Sequence, residues 1–307
     1  MQTTNIDGGW KIMIKEICEK IGFTAEDADF FEDILAKILG DKENATMFFK
    51  AHDEYFGDGD GYHDLLQQLS DKIEVHVYSV HMTFLLYCTK TLHAIYKNKG
   101  YSDELFYNSM SDLKAKLGEC KELFGIRGTF VFRRWFRRFF KTTLFTFGRL
   151  ELGNVTYPRE GFGDVKQGDL VFDCHIPSGG RLPIEEVYAS FKKAYKFFKE
   201  QGILKDDYMV ITCHSWILNP ETVKVFAENS NLKKFASLFE IVFSEPDPDN
   251  NDFWRIFGVE FKNFDKAPVD SSLRRNLVEY IKNGGNLGEA YGILKFDGEK
   301  VLDFFNK

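Results

Sequence analysis

The stretch Gly168-Asp169-Leu170-Val171-Phe172-Asp173-Cys174-His175-Ile176-Pro177-Ser178-Gly179-Gly180-Arg181-Leu182 decides the fold of the second half of this chain. The run from Asp169 to Ile176 predicts a strand, and Pro177 with Gly179 and Gly180 stops it in a tight turn. Pro183 to Glu200 then predicts a helix. Pro stands at its first position, Glu185 and Glu186 in its first turn, and Val187, Phe191, Ala194, Tyr195 and Phe198 along one face. A second apolar run, Tyr208 to Thr212, predicts another strand and leads into Cys213-His214-Ser215-Trp216. Each strand therefore ends on a Cys-His pair just before a helix. Strand ends hold side chains on rigid backbone at the edge of a cleft, so the chemistry of the chain is expected there.

Downstream, Pro220 opens a short helix. Leu238 to Phe243 and Phe253 to Phe261 predict antiparallel strands around the acidic loop Glu245 to Asp252. Ser271 to Lys282 predicts a helix closed by Gly284 and Gly285, and Asp297-Gly298 predicts a hairpin turn within Gly292 to Phe305. Upstream, Leu144 to Leu152 predicts a strand.

Before residue 142 the periodicity is helical. Ile12, Ile14, Ile17 and Ile21 form one stripe, ended by Gly22. Thr24 with Asp27 makes a capping box with Asp in place of Glu, and Phe30, Phe31, Ile34, Leu35, Ile38 and Leu39 follow at helical spacing up to Gly40. Val75 to Tyr96 predicts a central helix buried on several sides, and Ser102 to Phe124 a further helix ended by Gly125. Five to seven helices are expected in this part. The chain is thus predicted to be α+β, with a helical N-terminal domain at 1–142 and a sheet-containing domain at 143–307.

The bulk composition narrows the class. A chain of 307 residues, 44% hydrophobic and 28% charged, can bury a sizeable core, and 32 Phe residues make that core aromatic. A net charge of -7 argues against nucleic acid as a partner of the whole surface. No run is long and apolar enough for a transmembrane segment, and no secretion signal is recognisable. Five cysteines without a CxxC spacing fit reduced thiols, so a cytoplasmic location is expected.

Several motifs invite sharper readings. Cys174-His175 and Cys213-His214 have the residue types of a zinc site, but adjacent strand residues point to opposite faces, so no metal is expected. A nucleophilic dyad would need one residue from each string, such as Cys213 with His175, against the alternative of two buried structural thiols. Asp58-Gly59-Asp60-Gly61 opens like a calcium loop, yet Tyr62, His63 and Leu69 occupy its fifth, sixth and twelfth positions, so it is taken as a polar loop. The basic string Arg133-Arg134-Trp135-Phe136-Arg137-Arg138 is open to three readings: a phosphate-binding patch, a membrane-surface contact, or a solvated face opposite a packed aromatic stripe.

FGRLEL (147–152), GDLVFDCHIPSGGRL (168–182), TCHSWIL (212–218), ENSNLKKFASLFE (228–240) and SSLRRNLVEYIKNGG (271–285) together resemble the GNAT-like C-terminal domain of bacterial proteins named acyltransferase domain-containing. That family also carries a helical N-terminal domain, similar in architecture to residues 1–142. The HIP-x-GG and CHSW strings carry the specificity of the match. The resemblance implies an acyl-CoA N-acyltransferase fold, a mixed sheet with flanking helices, with acyl-CoA or acetyl-CoA as co-substrate. It implies a small-molecule or peptide amine as acceptor. The family tends to carry a His-containing segment after the paired glycines, where this chain has Asn286-Leu287-Gly288-Glu289, so a role for that His does not transfer.

In that fold a glycine turn after a central strand binds the CoA pyrophosphate through backbone N–H groups. The implied turn here is Ser178, Gly179, Gly180 and Arg181; Glu185 and Glu186 oppose an anion there. Direct attack by an amine requires a base, and an imidazole, titrating at about 6.5, suits that task. His214 and His175 are the candidate bases, with Glu151 a third candidate acting through a water. The alternative is a non-catalytic ligand- or partner-binding protein on a degenerate GNAT-like scaffold.

Overall fold

The computed structural model describes residues 9–57 and 59–305, with side chains from Ile14 onward; the side chain of Ile12 and all of Asp58 lie outside the described residues. The chain divides into two compact units, Met1–Thr142 and Thr143–Lys307.

The first unit is helical: α1 (Gly9–Lys20), α2 (Ala25–Leu39), α3 (Lys42–Phe56), α4 (Tyr62–Ile73), α5 (Val77–Asn98), α6 (Asp103–Met110), α7 (Asp112–Phe124) and α8 (Arg133–Phe140). Thr24 caps α2 as the sequence predicts. Its hydroxyl oxygen accepts from the Asp27 N–H, and the Asp27 carboxylate accepts from that hydroxyl at 2.8 Å and from Lys121 Nζ at 2.6 Å. α5 is the predicted central helix, with Val80, Phe84, Cys88, Leu92 and Tyr96 fully buried. Ser102 to Phe124 is not one helix. Ser111 turns its hydroxyl back to the Asn108 carbonyl and caps α6, and α7 starts afresh at Asp112. With α8, this break raises the described helices to eight.

In α8, Phe136, Phe139 and Phe140 are buried while Arg133 and Arg134 are exposed, as in the solvated-face reading. Arg137 donates to Asp60 at 2.6 Å and to the carbonyls of Gly57 and Gly59, so this arginine closes the polar loop after α3.

The second unit is a seven-stranded mixed sheet with flanking helices, ordered β1-β2-β3-β4-β6-β5 with β7 on β6. Its strands are β1 (Leu144–Thr146), β2 (Glu151–Thr156), β3 (Leu170–His175), β4 (Met209–Ser215), β5 (Glu240–Glu245), β6 (Glu289–Phe296) and β7 (Val301–Leu302). Its helices are α9 (Ile184–Glu200), α10 (Pro220–Val223), α11 (Asn231–Ala236), α12 (Phe253–Phe257) and α13 (Ser272–Lys282). β3 and β4 are parallel, joined through α9; the other pairs are antiparallel.

Two predictions are corrected here. Leu144 to Leu152 forms two strands, because Gly148 adopts φ 88 and the Phe147 N–H closes a turn onto the Leu150 carbonyl. Phe253 to Phe261 opens with helix α12. Phe253, Ile256 and Phe257 recur at helical spacing, Asp252 pairs with Arg255 at 2.6 Å, and Gly258 at φ 66 ends the turn. The partner of β5 is therefore β6.

α9 begins one residue later than expected, with Pro183 as its N-cap. It covers one face of the sheet, packing Phe198 on Phe172 at 4.5 Å, Phe197 on Phe145 at 4.9 Å and Phe191 on Phe296 at 5.6 Å between ring centres. Tyr157, Val165, Val171, Tyr291, Ile293 and Phe304 form a core on the other face, which reaches His214 through Tyr291, its partner in register. His175 and His214 stand on that second face.

Candidate functional site at the ends of the two parallel strands

Strand alternation sorts the two Cys-His strings. Asp173 pairs in register with Thr212, and the paired register of β3 and β4 stops there although both strands run on, to His175 and Ser215. Cys174 and Cys213 point toward α9. They are buried, in contact with each other, and all five cysteines are free. Burial pushes the Cys174 thiol well up, and the Cys213 hydrogen bond adds to this, so it stays a protonated thiol. Cys213 and His175 therefore lie on opposite faces, and no Cys-His dyad forms.

His175 and His214 share the second face. His175 Nε2 lies 2.7 Å from Asp173 Oδ2, its neighbour two positions back on the same strand. His214 Nε2 lies 3.3 Å from Glu289 Oε2 at the start of β6, and its side chain is 45% exposed, open to an incoming molecule. Burial raises the Glu289 carboxyl, the His214 imidazole opposes this, and Asp252, Asp247 and Glu245 add to the rise. Glu151 stands opposite His175 in register on β2 but is only 1% exposed. Tyr291, opposite His214, and Phe243, opposite Tyr291, extend the face onto β6 and β5.

The turn Ser178-Gly179-Gly180-Arg181 follows directly. Gly179 and Gly180 adopt φ 86 and 78, and a Cβ on either would meet nothing within 4 Å, so glycine is required there by backbone conformation alone. The N–H groups of Gly179, Gly180 and Arg181 donate to no backbone carbonyl among the described residues. Arg149 braces the turn from below, donating Nε to the Arg181 carbonyl at 2.8 Å and an Nη to the Pro177 carbonyl at 2.9 Å. Arg181 itself is exposed, and so are Glu185 and Glu186.

Sequence reasoning missed Asp173, Glu289 and Arg149. Asp173 was findable as the D-x-H spacing that puts both side chains on one strand face. Arg149 sits within the quoted FGRLEL string. Glu289 stands in the segment after the paired glycines, and nothing local marks it as the partner of His214.

Residues 144–294 match the GNAT-like C-terminal domain and residues 13–142 the N-acyltransferase N-terminal domain. No curated protein sequence matches the chain. Among solved structures, the chain resembles an acyltransferase in complex with decanoyl-CoA and teicoplanin, with 18% identity, a TM-score of 0.71, and coverage of 92% of this chain and 87% of that one. An acyltransferase in complex with decanoyl-CoA aligns with a TM-score of 0.68 at the same identity and coverage. An acyltransferase in complex with CoA and 10C-teicoplanin aligns with a TM-score of 0.63 at 18% identity, over 92% of this chain and 99% of that one. The two domain matches cover nearly the whole chain, which belongs to the acyltransferase-domain proteins that join a helical N-acyltransferase N-terminal domain to a GNAT-like C-terminal domain.

Proposed function

We propose that the protein is an acyl-CoA-dependent N-acyltransferase that works by direct attack of an amine on the thioester. The observation that carries this reading is the His214–Glu289 pair. It is an accessible imidazole backed by a carboxylate, just beyond the point where two parallel strands stop pairing. The fold matches acyltransferases that hold decanoyl-CoA or CoA, two of them together with teicoplanin or 10C-teicoplanin, which supports a CoA thioester as donor and a small-molecule or peptide amine as acceptor.

The turn 178–181 receives the CoA pyrophosphate through its N–H groups and the Arg181 guanidinium. Backbone N–H groups beyond Asp173 and Thr212, where strand pairing ends, polarise the thioester carbonyl. The amine nitrogen attacks the thioester carbon; the new C–N bond forms and the C–S bond breaks. His214 takes the amine proton, with His175, held by Asp173, as the second base and Glu151 behind it. The CoA thiolate leaves and takes a proton from solvent, and His214 returns the amine proton to solvent. Five buried free thiols fit a reducing cytoplasm.

The test is thermal unfolding with millimolar acetyl-CoA and decanoyl-CoA, followed by a transfer assay on a panel of amines. A rise in melting temperature and N-acylated product are expected. No shift with either thioester would remove this reading. One observation favours a non-catalytic binding protein on the same scaffold: Pro177 and Pro183 lack N–H donors and Glu185 and Glu186 are exposed at the helix start, all unhelpful to a phosphate. That reading gains if His214→Ala and His175→Ala both leave the protein's activity unchanged.

A further inference from the structure

We propose that Arg159 is the specificity-determining residue for the acceptor, binding a carboxylate, so that the amine acceptor is an amino acid or a short peptide with a free carboxyl end. This rests on the transferase reading above. Arg159 leaves β2 in the loop that folds over the histidine-bearing face. Its guanidinium lies 4.3 Å from the Phe243 ring centre and 5.0 Å from that of Tyr291. Tyr291 in turn stands opposite His214, their rings 6.0 Å apart, so Arg159 and His214 flank one aromatic side chain.

The charge on Arg159 is not neutralised. It forms no ion pair or hydrogen bond among the described residues, although it is half-buried. The groups that face it are uncharged at neutral pH: Phe243 has no ionisable group, and burial pushes the Tyr157 and Tyr291 phenols up. Asp173, whose charge reaches Tyr291, is engaged by His175. A guanidinium lying over two rings without a hydrogen-bond partner among the described residues keeps its planar fork of donors available, a fork suited to a bidentate carboxylate. On the same face Glu245 stands opposite Glu289 in register, an acidic pair beside His214 that favours an arriving ammonium. Positive and negative anchors therefore flank the proposed base, matching a ligand with an amine at one end and a carboxylate at the other.

The experiment compares free L-amino acids and glycylglycine with their C-terminal amides, using the wild-type protein, Arg159→Met and Arg159→Lys, with acetyl-CoA as donor. The wild type is expected to prefer acids over amides by about 10- to 100-fold in kcat/KM, as for a hydrogen-bonded charge pair. Arg159→Met should abolish that preference and Arg159→Lys should retain only part of it, both with the KM for acetyl-CoA unchanged. Equal use of acids and amides by the wild type overturns the proposal. A defect of Arg159→Met confined to the acetyl-CoA KM also overturns it, assigning the guanidinium to a CoA phosphate. Calorimetric titration of glycylglycine and its amide without donor reads the same preference independently of transfer. Arg159-dependent binding with no transfer would sink the transferase reading and keep the carboxylate site, whereas transfer without the preference would do the reverse.

Discussion

The two histidines and two cysteines lie next to each other in sequence and differ entirely in circumstance. Cys174 and Cys213 face the aromatic layer under α9, where burial holds the Cys174 thiol protonated. His175 and His214 face outward, each beside a carboxylate. His214→Ala is expected to lower kcat by about 10²- to 10⁴-fold, the usual contribution of a positioned base, with the KM for acyl-CoA unchanged. Steady-state kinetics over both substrates checks this; a loss confined to KM would remove His214 from the base role. Cys213→Ala is expected to retain turnover and to lose only stability, read as a lower denaturation midpoint. Strand alternation made this division legible in the sequence, because it follows from backbone geometry alone. Glu289 was not legible, because its contact with His214 depends on which strand lies beside β4.

Capping and turn chemistry act over a few residues, and they explain which elements matched expectation. Thr24 and Asp27 begin α2 as predicted, and the structure adds Lys121 and Arg127 as partners of the same carboxylate. Burial would raise the Asp27 pKa, but the Lys121 and Thr24 hydrogen bonds and the two cations outweigh it and hold the carboxyl below its usual range. Its stabilisation is therefore present above the unfolded carboxyl value of about 3.9 and is lost as pH falls through the lowered folded value. Asp27→Asn is expected to cost about 1 to 3 kcal/mol at neutral pH. The gap between mutant and wild type should close in strong acid; melting curves from neutral pH downward check it, and a pH-independent gap would contradict it. Gly180→Ala should cost about 1 to 2 kcal/mol from the left-handed backbone alone, since the site is open, and should weaken the acetyl-CoA-induced thermal shift. The elements misjudged from sequence each contain a local competitor: the Ser111 hydroxyl within a helical run, Gly148 within a strand run, and helical spacing in Phe253, Ile256 and Phe257 overlooked beside an acidic loop.

At the scale of the whole molecule, ligand binding is a stability measurement. Acetyl-CoA at a hundred times its Kd should stabilise the folded protein by about 2.7 kcal/mol. The accompanying hydrogen-exchange protection should concentrate in the turn after β3, the start of α9 and the end of β4; protection confined to residues 14–142 would move the donor site away from the proposed turn. Sequence alone determined that a helical part precedes a sheet-containing part, where the βαβ segment lies, and that its two strands each carry a histidine at or beside the last residue. Periodicity, capping and glycine punctuation are short-range and are written in neighbouring residues. Only the tertiary structure decided the strand order, the parallel register that stops at Asp173 and Thr212, and the meeting of His214 with Glu289 and of Arg159 with Tyr291 and Phe243. Those contacts join segments far apart along the chain, and they are selected by which sheet face is buried and which stays open, a property of the assembled sheet.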